Sequence, residues 1–214
     1  MKRTWYATVA AAALLAWAVV AFARTGGAPA SKTGASAVSS VGAEGLCTDC
    51  HGGNAVNDAG SIAVVGAPAL YRAGSTYRLT VHLASTHAFG ANSVWGFQLT
   101  AVDQASGAGS GTFALVNTAE TKLVTGSGSF SARRYVDQAS GGVRGGAAAP
   151  VEWQVDWTAP TGAASGVTFF ASGLVSDGSG TGNSWVYHAS AASVDTVTAA
   201  IPRTWGSIKA QYAR

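Results

Sequence analysis

The sequence is poor in the residues that most often build metal and disulfide chemistry. Its 214 residues contain one methionine, Met1, and two cysteines, Cys47 and Cys50. Two cysteines cannot make a disulfide-stapled miniprotein. A lone initiator methionine leaves no thioether donor further along the chain. Charge is also sparse, at 11% of residues, and the 13 Lys and Arg are scattered rather than clustered. That distribution argues against nucleic acid as a partner. With 28 glycines and few Glu, Lys and Leu, a coiled coil or helical bundle is excluded. No helical periodicity of useful length runs between residues 60 and 200.

What is present falls into segments. Lys2 and Arg3 precede an apolar stretch from Trp5 to Phe22, and Ala21-Phe22-Ala23 has the A-x-A form of a cleavage site. Residues 1–23 therefore read as a secretory signal peptide, and the chain as exported. The apolar stretch is long enough to span a bilayer if it is left uncleaved, which is the one route to membrane contact. Cleavage would remove two basic residues and leave 11 against 10 acidic ones, so no partner is implied by charge. Residues 24–45, dominated by Gly, Ala and Ser, read as a flexible linker or a loosely held arm.

From residue 59 to 200 the texture is that of an all-β domain. Thr76–Leu83 alternates strictly, with Tyr77, Leu79, Val81 and Leu83 on one face, the signature of a half-buried strand. Further strands are expected at Ser61–Val65, Ser93–Val102, Thr112–Val116, Phe130–Val136, Val151–Trp157, Val167–Ser172, Ser184–His188 and Ser193–Thr198. Gly- and Ser-rich turns separate them. Such spacing predicts a β-sandwich, with Trp95, Phe97, Trp153, Trp157 and Phe169 packed in its core. Residues 201–214 read as a C-terminal tail, with Trp205 and Ile208 able to pack back on the sandwich.

The chemistry lies in residues 46–58, where Cys47-Thr48-Asp49-Cys50-His51 forms a C-x-x-C-H. Thiols at i and i+3 can add to the two vinyl groups of one haem, and the adjacent imidazole then lies under the iron as an axial ligand. A disulfide or redox pair and a zinc site are the competing readings; zinc would need four ligands. One covalent haem c per chain is the expected cofactor, held by Cys47, Cys50 and His51. The sixth iron position falls to a histidine or stays open, because no methionine remains. His87 is preferred, since a loop residue can turn over a ring without breaking a strand ladder. His188 is next. His82 fits the solvent face of its alternating strand. Phe89, Trp185 and Tyr187 flank these candidates and could cover the ring.

The stretches Ala69-Leu-Tyr-Arg-Ala-Gly-Ser-Thr-Tyr-Arg-Leu-Thr-Val, Trp95-Gly-Phe-Gln-Leu-Thr-Ala-Val-Asp, Trp157-Thr-Ala-Pro and Gly166-Val-Thr-Phe-Phe-Ala-Ser-Gly resemble the Reeler-type β-sandwich. More closely, they resemble the bacterial "choice-of-anchor" extracellular domains of that type, in which a C-x-x-C-H precedes the first strand. The resemblance covers about residues 44–195. It implies an Ig-like sandwich and an envelope or extracellular setting. Relatives often read Tyr-Val-x-His where this chain has Tyr135-Val-Asp-Gln138; if that histidine is the usual distal ligand, this chain has lost it.

Together these observations imply an exported monohaem c-type cytochrome domain, in the periplasm or at the cell surface, passing electrons to a redox protein partner. The alternatives are a surface-recognition sandwich with a structural haem, and a haem sensor or enzyme with an open sixth site. No Ser-His-Asp or paired-carboxylate motif assigns a catalytic residue.

Overall fold

A computed structural model of the chain describes residues 26–162, 166–179 and 183–196. The expected signal peptide and the C-terminal tail lie outside the described residues. The domain is a two-layered, all-β sandwich. One sheet has four strands in the order β1 (Gly60–Val65), β3 (Thr76–Ser85), β8 (Val151–Thr158), β5 (Thr112–Leu115). The other has six, in the order β2 (Leu70–Tyr71), β10 (Ser184–Asp195), β9 (Val167–Ser176), β4 (Val94–Asp103), β7 (Arg134–Gln138), β6 (Thr121–Thr125). All pairings are antiparallel except that of β2 with β10.

Period-two alternation explains most of this. In β8, Val151, Trp153, Val155 and Trp157 point inward while Glu152 and Gln154 face solvent. In β3 the alternation buries Leu79, Val81 and Leu83. The five aromatic residues expected in the core are there, none more than 2% exposed. A buried indole must satisfy its N–H: Trp95, Trp153 and Trp157 donate to the carbonyls of Ala147, Gly142 and Ser110.

The strand boundaries differ from the sequence reading in four places. The strand expected at Phe130–Val136 is β7, which starts only at Arg134 after a 3-10 turn over Gly128–Phe130 and runs on to Gln138. β2 has two residues, too few to show a period. β6 (Thr-Lys-Leu-Val-Thr) is an edge strand with Leu123 exposed, so it lacks a clear apolar face. The two strands expected at Ser184–His188 and Ser193–Thr198 are one continuous β10. The intervening Ala189-Ser-Ala-Ala carries no side-chain contrast, yet pairs with β9 at every position.

Residues 26–46 differ most from expectation. They are not a loose linker but a packed arm. Residues 34–45 fold into a hairpin: Gly34 N donates to Gly45 O, Glu44 N to Ala35 O, and Val38 and Val41 exchange both backbone bonds. This hairpin lies on the outer face of the six-stranded sheet, where Ala35 and Val38 cluster with Val102 and Phe170. Small side chains, read from composition as flexibility, here allow a backbone to lie flat on a sheet.

Candidate functional site

The arm delivers the C-x-x-C-H to that same outer face. Cys47–Asp49 form a single 3-10 turn, and the N–H groups of Cys50 and His51 both donate to Cys47 O. Cys47, at the start of this turn, is turned in toward the sheet, and Cys50, its C-cap, is open to solvent. Asp49 Oδ2 accepts from Lys32 Nζ at 2.5 Å and its carboxylate packs on Gly45, fixing the turn to the arm.

Beneath the turn, cross-strand register sets up a row of side chains. It runs Lys122 (β6), Asp137 (β7), Gln98 (β4), Ser172 (β9), His188 (β10). Gln98 is held by the arm: its Oε1 accepts from Lys32 N at 2.6 Å, and its Nε2 donates to Pro29 O at 3.0 Å. Ser172 Oγ donates to Cys47 Sγ at 3.2 Å. Cys47 is buried and Cys50 exposed, and both are free thiols. Burial pushes the Cys47 thiol up to about 11, outweighing the Ser172 hydrogen bond that lowers it. Reactive cysteines have a lowered thiol pKa; the shift at Cys47 runs the other way.

His51 Nδ1 is 3.1 Å from Ser184 Oγ, and Asn54 Nδ2 donates to Ser184 O at 2.9 Å. With the proton on Nδ1 directed to that serine, Nε2 keeps its lone pair, the arrangement by which an outer partner orients a ligating imidazole. His188 lies on the same face of β10. Its backbone N–H donates to Asn57 Oδ1 while Asn57 Nδ2 donates to its carbonyl. Its Nε2 is buried with no hydrogen-bond partner. Gly34 crosses this ring: a Cβ there would fall 2.9 Å from Nε2 and would also meet Leu46. Burial lowers the pKa of both His51 and His188, which favours the neutral, ligating form.

The other histidines lie elsewhere. His87 stacks on Trp185, ring centroids 4.4 Å apart, with Nε2 3.3 Å from Asp58 Oδ2. Trp185 points to the opposite face of β10 from Ser184 and His188, so His87 stacks on the other face of the strand from His188. Phe89 packs on the same Trp185. Tyr187 is a core residue, its hydroxyl 2.5 Å from Ser85 Oγ. His82 pairs with Glu152 at 2.8 Å on the outer face of the other sheet. Gln138 points inward and caps Phe97 N through Oε1 at 2.9 Å.

The donor set suits a thioether-bound haem between two imidazoles. Two thiols project from one turn, one imidazole has its outer nitrogen engaged, and a second has an orphaned Nε2 under a glycine cradle. Two adjustments are needed: Cys47 must turn out from Ser172 for both sulfurs to meet one ring edge, and the arm at Gly34 and Leu46, which closes over His188 Nε2, must move off it. Among the described residues, no three His, Cys, Asp or Glu converge as ligands of a single ion, whereas a zinc site needs four donors converging. The sequence reading missed Ser172 and Ser184, which reach the motif only through strand pairing, and Asn57, whose partner is the backbone of the distant His188.

The chain matches no protein-family model and none of the curated proteins. Among solved structures it is similar to the reelin-N domain of F-spondin, at 19% identity and a TM-score of 0.45, over 70% of this chain and 94% of that one. It is similar to the human F-spondin reeler domain at 21% identity and a TM-score of 0.42, over 67% and 92%. A cohesin module from a Clostridium perfringens family 33 glycoside hydrolase is 11% identical with a TM-score of 0.39, over 64% and 98%.

Proposed function

We propose that this chain is an exported monohaem c-type electron-transfer domain, with Cys47 and Cys50 as the thioether attachments, His51 as the proximal ligand and His188 as the distal one. The observation that carries this reading is the pair of imidazoles on one face of β10: His51 engaged through Nδ1 by Ser184, and His188 with a buried, partnerless Nε2. His188 replaces His87 as the preferred distal residue because it shares the motif's side of the strand. A bound haem supplies one-electron chemistry at its iron.

The chain's own residues do the rest. Ser184 and Asn54 fix the His51 ring. Asn57 grips the backbone of His188 from both sides. Lys32 and Asp49 hold the turn in place. A bis-imidazole iron resists ligand exchange, which suits electron passage to a redox protein partner in the periplasm or at the cell surface.

The test is expression of the full chain in a haem-maturing host, followed by pyridine haemochrome analysis. One covalent haem per chain is expected, and none in the Cys47→Ala/Cys50→Ala variant. Failure of the intact chain to acquire haem would end this reading.

A further inference from the structure

We propose that Asp137 is a proton-binding site linked to the electron that a haem at the motif would hold, so that giving up an electron to a one-electron acceptor protein also releases a proton from this carboxyl group to solvent. This rests on the haem reading above. On reduction the sequence reverses: one electron arrives, one proton is taken up, and the Asp137 O–H bond re-forms.

Three observations carry it. First, Asp137 is fully enclosed, and neither of its oxygens has a hydrogen-bond partner. A buried carboxylate without compensation is costly and tends to neutralise. Second, the groups facing it offset the charge only in part. Gln98 on β4 accepts from Lys32 N and gives one amide proton to Pro29 O; its second amide proton favours the charged form of Asp137 but makes no hydrogen bond of normal geometry to it. Lys122 on β6 forms no ion pair with it within 4.0 Å, although its positive charge acts at a distance. The arm brings Gly27 against it, where a Cβ would fall 3.1 Å from Asp137 Cβ. Two residues back along β7, Tyr135 donates to Glu44, which also pairs with Arg133. Burial accordingly pushes the Asp137 carboxyl up to about 7, with Gln98 and Lys122 opposing.

Third, Asp137 already senses the motif electrostatically. It lies two strand spacings from Ser172, about 10 Å along the sheet, and its negative charge raises the pKa of Cys47. A unit charge at that distance, in a medium of intermediate polarity, changes an ionisation constant roughly tenfold. A positive charge gained at the motif on oxidation acts in the direction that expels the proton.

The experiment uses the full chain in two forms. In the haem-loaded protein, the reduction potential is followed against pH. A tenfold difference in proton affinity between the two redox states corresponds to a total fall of about 59 mV, centred near neutrality. Asp137→Asn is expected to remove that fall. In the haem-free protein, the carboxyl carbon of Asp137 is followed by NMR; a midpoint near 7 is expected. In Lys122→Met the midpoint should move up, since a positive neighbour is lost. Equal pH dependence of potential in wild type and Asp137→Asn overturns the coupling while leaving the haem reading intact. A midpoint in the ordinary carboxylate range overturns the proton site. A chain that acquires no haem removes both proposals.

Discussion

At the scale of single residues, the decision between His87 and His188 rests on which way β10 points its side chains. Ser184 and His188 are four apart and share a face, whereas Trp185, the stacking partner of His87, belongs to the other. In the haem-loaded protein, His188→Ala should therefore lose the low-spin ferrous spectrum and bind carbon monoxide readily. His87→Ala should keep the wild-type spectrum. The reverse pattern would return the distal role to His87. The motif itself was legible in the sequence, because five consecutive residues carry it. The parity of His188 was not: a histidine four positions into a strand declares its face only once the register with β9 is known. Asp137 was equally hidden. A charged residue beside Tyr135 and Val136 reads as solvent-facing, and only the arm above it turns that face into an interior.

At the scale of elements, the arm is the least expected part and the most consequential. Its hairpin is anchored by Glu44, whose carboxylate accepts from Arg133 Nη1, Tyr135 Oη and Thr33 Oγ1, each at 2.6 Å. The Glu44 and Arg133 side chains are both wholly enclosed. Removing one partner of a buried pair strands the other charge, at a cost of about 3–5 kcal/mol. Glu44→Ala should lower the unfolding free energy in chemical denaturation by that order. A loss under about 1 kcal/mol, as for a surface pair, would show that the arm is not anchored there. The strands were readable wherever one face is apolar and the other polar, as in β3 and β8. They were unreadable where the contrast vanishes: across the small residues of β10, in the two residues of β2, and along the arm. In the arm, glycine and alanine serve close packing, which composition alone equates with flexibility.

At the scale of the whole molecule, one buried carboxyl sets a pH slope. Asp137 has an ordinary pKa of 3.8 and is held near 7 in the fold. Between those values the folded chain binds more protons than the unfolded one, so stability falls as pH rises through that window and is low above it. The excursion is at most about 4 kcal/mol. In the haem-free chain, Asp137→Asn should thus gain stability over wild type at about pH 8 and not at about pH 4, as read from denaturation midpoints. An equal difference at both would mean that the carboxyl does not titrate in the folded state. Asn57 adds a different consequence. It stitches the segment after the motif to β10 across 131 residues of chain, and the bonds from the turn to Ser172 and Ser184 span 125 and 133. Contacts of such long sequence separation form late, and chains emerge amino terminus first. Cys47 therefore emerges well before the strands that will bury it exist, and under the proposed haem reading attachment would meet two open thiols rather than a finished wall.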